Sequence, residues 1–227
     1  MSDIFFISYQ ESNAEKNWKR LLELHPDAKR IHGINGIDRV HLACESLSTS
    51  KNFWTVDGDN WLLKPLVYNQ QITHDLILFT AQDPIQNTTS TLGAVKLWTV
   101  DKIVAKDMRH GEFSLNATDS KVIVNNTFSI TAYNETPFDA WRAAFRHCVK
   151  LTSVIFKNRP GKHHREQFVN SWIACKDLDD GKNNAAWCYR GYQDAVAYVN
   201  ECQDDMSRLN LINNYSWLQE HFNKCRS

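Results

Sequence analysis

Short apolar runs alternate with amphipathic stretches through the first quarter of the chain. After residue 62 the rhythm becomes less regular. Residues 3–8 carry a continuous apolar run, Ile4-Phe5-Phe6-Ile7, which suits a strand buried on both faces of a parallel sheet. Ser12 or Asn13 then stands where a helix cap is expected, and a helix is predicted over 14–25 with Trp18, Leu21, Leu22 and Leu24 on its apolar side. Pro26-Asp27 closes it. A second strand at 28–33, a glycine-punctuated loop at 34–37 and a second helix at 38–47 follow, the helix presenting Val40, Ala43, Cys44 and Leu47 on one face. The third strand is 53–56. Strand–helix–strand–helix–strand is the signature of a parallel α/β sheet with right-handed crossovers.

Beyond that point the pattern predicts strands at 62–68 and 75–80, a glycine-led segment at 92–98, a strand near 102–105, and strands at 121–124 and 127–131. The second half of the sheet is therefore expected to be mixed, with antiparallel edges. Thr136-Pro137-Phe138-Asp139 reads as a helix start, with Thr136 as cap, Pro137 at the first position and Asp139 at the positive end of the dipole. That helix is expected to reach about 156, followed by a basic loop at 157–165 and helices at 165–176, 184–205 and 215–224. The expected organisation is a core over 1–139 and a mostly α-helical region over 140–227, packed on or beside the sheet.

The chemistry concentrates where the early strands end. In open α/β sheets ligands bind beyond the carboxyl ends of the strands. Ser8-Tyr9, His32-Gly33 and Asp57-Gly58-Asp59 occupy those ends. Side chains at i and i+2 of a strand point the same way, so Asp57 and Asp59 are expected to face one ligand. Paired carboxylates suit a hard divalent cation, and Gly58 permits a tight turn and close approach. Taken alone, the tripeptide is also an ordinary polar turn; its place at the sheet edge favours a metal–diphosphate site.

Lys96 is a lone charge in the apolar run Gly93-Ala94-Val95-Lys96-Leu97. Arg142 and Arg146, spaced i, i+4, would either add positive charge to a site or face solvent and pair with Asp139. A general base would be a carboxylate, with Asp139, Asp83 and Glu112 as candidates. His41 reads as a helix-surface or satisfied core residue, and the His163-His164 stretch as a solvated basic turn or a phosphate contact.

Composition narrows this only a little. Lys plus Arg and Asp plus Glu each number 26, which argues against a broadly basic nucleic-acid binder and leaves room for a local basic face. The six cysteines form no Cys-x-x-Cys pair and read as reduced, mostly buried thiols of a cytosolic protein that begins without a signal peptide. No window approaches the ~18–20 apolar residues of a membrane span. Trp61, Trp98, Trp141, Trp172, Trp187 and Trp217 are expected mainly in the core, with one or two able to stack on a flipped base.

A parallel α/β half, an Asp-x-Asp after its third strand and a less regular second half resemble a GT-A glycosyltransferase. Several segments are similar to the small GT-A-like transferases of T4-like tailed bacteriophages that place arabinose or another sugar on hydroxymethylcytosine. They are Phe6-Ile7-Ser8-Tyr9 with Glu11 and Asn13-Ala14-Glu15, Arg30-Ile31-His32-Gly33-Ile34 with Gly36-Ile37 and His41, and Phe53-Trp54-Thr55-Val56-Asp57-Gly58-Asp59. Gly93-Ala94-Val95-Lys96-Leu97 and Thr136-Pro137-Phe138-Asp139-Ala140-Trp141-Arg142 continue the likeness, which covers about residues 3–155.

The resemblance implies a GT-A-like (Rossmann-like) α/β fold, a UDP-sugar donor and a Mn²⁺ or Mg²⁺ ion. It puts Ser8, Tyr9 and Glu11 at the uridine, and Arg30, His32 and Gly33 near base, ribose or diphosphate. Asp59 would be the direct metal ligand, Asp57 would meet ribose or a metal-bound water, and His163 or His164 would be a further ligand. Lys96, Arg142 and Asp139 would serve the transfer step. The implied acceptor is double-stranded DNA carrying 5-hydroxymethylcytosine, in the cytoplasm of the infected bacterial host. A GT-A transferase acting on a glycan or small molecule, nucleotidyl transfer, and a non-enzymatic nucleotide-binding phage protein remain as alternatives.

Overall fold

A computed structural model describes residues 2–91, 93–104, 113–153 and 161–226. The chain opens with β1 (Asp3–Ser8), α1 (Ala14–Leu24), β2 (Lys29–His32), α2 (Ile37–Leu47) and β3 (Asn52–Asp57), each within one residue of the bounds that the periodicity predicts. β1 lies between β2 and β3 and is parallel to both. Because side chains alternate, the two adjacent phenylalanines of β1 go to opposite faces. Phe6 packs with Leu21, Trp54 and Val56 on the α1 face, and Phe5 with Val40, Cys44 and Phe53 on the α2 face. One expectation changes: Asn13 precedes α1 but its side chain does not cap it. Its Nδ2 donates instead to Ala132 O at 2.8 Å.

The less periodic stretch contains β4 (Asn60–Leu62), β5 (Leu76–Gln82), β6 (Thr89–Ser90), β7 (Lys96–Thr99), a helical turn α3 (Phe113–Asn116) and β8 (Lys121–Thr131). The strand expected over 62–68 ends at Leu62. Pro65 follows and cannot donate to a ladder, and Leu66 N donates to the His25 ring instead, at 2.8 Å. The strand expected near 102–105 stands earlier, as β7, and Ala105 lies outside the described residues. The two strands expected over 121–131 are one, β8, whose two register shifts opposite Phe79, Thr80 and Ala81 absorb Asn125 and Asn126 and then Phe128 as bulges.

The sheet order is β2-β1-β3-β7-β5-β8-β4, with β6 on β5. β7 runs antiparallel to both of its neighbours, while β5 and β8 are parallel. The fold class is α/β: a mixed sheet with flanking helices, whose parallel half ends in the Asp-x-Asp.

The described residues form two compact units that divide between Ala132 and Tyr133. The second contains α4 (Pro137–Thr152), α5 (Lys162–Ala174), α6 (Ala185–Cys202), the short α7 (Met206–Leu209) and α8 (Tyr215–Cys225). Thr136 caps α4 as expected, accepting from Asp139 N at 3.1 Å. α6 crosses α4 so closely that a Cβ at Gly191 would lie 2.5 Å from Trp141 O. The basic loop expected over 157–165 is helix from Lys162 onward, and Lys157 and Arg159 lie outside the described residues. All six cysteines are thiols, five of them buried. No described helix is long and apolar enough to cross a membrane.

Candidate functional site

Asp57 is the last residue of β3 and Lys96 the first of β7. Because these neighbours are antiparallel, the end of one and the start of the other share an edge, with Lys96 registered against Thr55. Lys96 is 5% exposed. A buried ammonium needs partners, and Nζ finds Asp57 Oδ2 at 2.9 Å and Ala94 O at 3.0 Å. The other carboxylate oxygen, Asp57 Oδ1, is buried without a hydrogen-bond partner.

The inner face of α2 lies under this pair. His41 is fully buried, shares a 2.7 Å hydrogen bond with Ile37 O through Nδ1, and leaves Nε2 buried without a partner. Burial, helped by the Lys96 charge and opposed by Asp57, pushes its pKa down to about 4. Burial, with the Asp57 charge, pushes the Cys44 thiol up to about 12.

The strand alternation stops at Asp57: Gly58-Asp59 is a turn into β4. Gly58 is needed there because a Cβ would lie 2.6 Å from Glu11 Oε2 and 3.2 Å from Ile7 O. Asn17, on α1, donates to Gly58 O at 2.8 Å, and Glu11 Oε2 accepts from Tyr9 N at 2.7 Å. Asp59 Oδ1 accepts from Asn60 Nδ2 at 3.1 Å, and Asp59 O from Ala132 N at 2.7 Å. Asn60 Nδ2 also donates to Gly93 O at 2.7 Å, and its Oδ1 accepts from Ser129 at 2.6 Å.

At the neighbouring strand ends, Ser8 is registered against His32, and Ile7 against Asp57. Ser8 Oγ accepts from Arg30 Nε at 3.0 Å and shares a 3.0 Å hydrogen bond with His32 Nδ1. Arg30 also pairs with Glu15 at 2.6 Å, and Gly33 N donates to Ser8 O at 3.0 Å. One edge of the sheet thus gathers Ser8, Tyr9, Glu11, Arg30, His32, Gly33, Asp57, Asp59 and Lys96, all within the first unit.

Asp139, Arg142 and His163 belong to the second unit. Asp139 is buried and accepts from the Thr136 hydroxyl at 2.6 Å, within the cap of α4. The Arg142 guanidinium lies 5.4 Å from the Tyr215 ring centroid, with Nε buried and unpartnered. His163 is exposed in the first turn of α5, where its Nε2 accepts from Gln167 at 3.1 Å. Asp83 folds back on its own loop, accepting from Ile85 N and Gln86 N, and Glu112 lies outside the described residues. Sequence reasoning overlooked Asn17 and Asn60, whose partners Gly58, Gly93 and Ser129 are far away along the chain.

Among the described residues no group of three or more His, Cys, Asp or Glu side chains is arranged to hold a metal. A Mg²⁺-type ion does not need such a cage: one or two carboxylates plus substrate phosphates suffice. Half-buried Asp59 and the unpartnered Oδ1 of Asp57, on either side of a glycine, fit that donor set.

No family model matches the chain, and no curated protein is similar to it. Among solved structures, it is similar to the crystal structure of S. aureus TarS 1-349, with a TM-score of 0.42 and 10% identity over 98% of this chain and 91% of that one.

Proposed function

We propose that this chain is a glycosyltransferase that takes its sugar from a UDP-sugar and works with Mn²⁺ or Mg²⁺. The observation that carries the reading is the pairing of the Asp57-Gly58-Asp59 turn with a buried lysine at the carboxyl edge of the parallel strands, Lys96 Nζ lying 2.9 Å from Asp57. A diphosphate leaving group needs positive charge at such an edge. Asp59 is the residue proposed to hold the ion. Asp57, paired with Lys96, lies beside it and is proposed to meet ribose or a metal-bound water. A divalent ion bound there supplies Lewis-acid stabilisation of the leaving diphosphate. Ser8, Arg30 and His32, already joined by hydrogen bonds, are proposed to receive the nucleoside and its first phosphate. Glu11 fixes the turn after β1 by accepting from Tyr9 N.

The acceptor we propose is 5-hydroxymethylcytosine in phage DNA, with arabinose as the favoured sugar. That part rests on likeness in the motifs around Ser8, His32 and Asp57. Two measurements test the proposal. Thermal unfolding should shift upward with UDP plus Mn²⁺, and the shift should vanish in Asp59→Ala; no stabilisation by any nucleotide would reject the transferase reading. Incubation with UDP-sugars and hydroxymethylcytosine-containing DNA, followed by digestion and weighing of nucleosides, should reveal a sugar adduct. If no donor yields one, the DNA acceptor is wrong.

A further inference from the structure

We infer that Asn60 is a positioning residue, holding the Asp59 carboxylate and the segment that leads into Lys96 at one fixed separation. The inference rests on the proposed role of Asp59. Asn60 is 1% exposed, and both ends of its amide are engaged. Asp59 Oδ1 and Gly93 O can only accept, so the amide nitrogen must face them, at 3.1 and 2.7 Å. The Ser129 hydroxyl, at 2.6 Å, supplies the donor that the amide oxygen needs. The orientation of the side chain is therefore dictated by its partners.

The consequence is a clamp between two short segments. Asp57 joins Lys96 by the ion pair, and Asn60 joins Gly93 by the amide. Lys96 also folds back on Ala94 O at 3.0 Å. Gly93 is itself left-handed, at φ +64°, and packs against Thr131 so closely that an added Cβ would lie 2.7 Å from Thr131 Cγ2. Asp57 meets an ammonium, while Asp59 Oδ1 accepts from an amide, a neutral donor that orients a carboxylate. That is the partner a metal-binding carboxylate needs, because hydrogen bonds behind a ligand set its direction and its affinity for the ion.

The test is a titration of Mn²⁺ in the presence of UDP, reading free Mn²⁺ by electron paramagnetic resonance, alongside UDP binding without metal. Asn60→Ala should weaken Mn²⁺ binding by about tenfold or more while leaving metal-free UDP affinity unchanged. Unchanged Mn²⁺ affinity, or an equal loss of both affinities, would overturn the inference, the second result marking a general loosening of the site. If Asn60→Ala does not fold, Ser129→Ala replaces it, removing only the donor that fixes the amide. It should weaken Mn²⁺ selectively, and an unaltered titration would count against the clamp. Asp59→Ala separates the two ideas: if it retains Mn²⁺ uptake, or the unaltered chain shows none, the reading of Asp59 itself has failed.

Discussion

Lys96 Nζ lies 2.9 Å from Asp57 Oδ2, joining the first residue of an antiparallel strand to the last residue of the strand beside it. The lysine side chain is 7% exposed and the aspartate 25%, so neither charge is well hydrated without the other. Removing one partner of such a pair leaves a stranded charge. Lys96→Met should destabilise the protein by about 3 kcal/mol in urea unfolding. Asp57→Asn added to Lys96→Met should recover more than half of that loss while nucleotide binding stays impaired. If the two substitutions simply add, the pair contributes nothing to folding.

Gly58 should tolerate no side chain. Its added Cβ would meet Glu11 Oε2 at 2.6 Å and Ile7 O at 3.2 Å, one a movable carboxylate and the other fixed backbone. Gly58→Ala should cost about 1–3 kcal/mol as an overpacked site and lower the affinity for UDP with Mn²⁺. Glu11→Ala in the same chain should return part of the stability, since it removes the nearer obstacle. Calorimetric melting of the three variants decides this; no recovery in the double variant would mean that the Ile7 carbonyl dominates.

What the sequence revealed follows from the range of the interactions involved. The first five elements were legible because each is specified locally. Phe5-Phe6 and Phe53-Trp54 fill both faces of buried strands, and Leu21, Val40 and Cys44 recur at helical spacing. Lys96 was legible as a charge in an apolar run, but its partner was not, because the pairing depends on β7 being inserted antiparallel between β3 and β5. The strand stops at Leu62 despite the apolar residues beyond it, because Pro65 cannot donate to a ladder. Asn60 was invisible for a different reason. An asparagine after Asp-Gly-Asp is an ordinary turn residue, and its partners Gly93 and Ser129 are 33 and 69 positions away.

Asp139 provides a test of cap against catalyst. It stands in the first turn of α4, with its backbone N–H donating to the Thr136 hydroxyl at 3.1 Å and its carboxylate accepting from that hydroxyl at 2.6 Å. Thr136→Ala and Asp139→Asn should each destabilise by about 1 kcal/mol, the usual worth of a helix cap. Asp139→Asn should keep kcat for sugar transfer or for UDP-sugar hydrolysis within a few-fold. A loss of several hundredfold in kcat at unchanged stability would make the carboxylate a general base instead.

His41 gives the fold a pH dependence of known sign. Fully buried beside Trp98 and Phe113, it has its pKa pushed down to about 4, first by burial and then by the Lys96 charge, against Asp57, the Ile37 carbonyl and Asp38. In the unfolded chain the ring titrates at its ordinary value of about 6.5. Below that pH the unfolded state binds a proton that the folded state refuses, so stability falls as acidity rises. The contribution is complete above about pH 6.5 and is lost progressively toward pH 4, on the order of 3 kcal/mol across the window. His41→Leu removes the titrating group, so its urea midpoint should vary less with pH than that of the unaltered chain between pH 6.5 and 4. Parallel pH profiles for the two proteins would show that the imidazole is protonated in the fold, and that Asp57 rather than burial governs it.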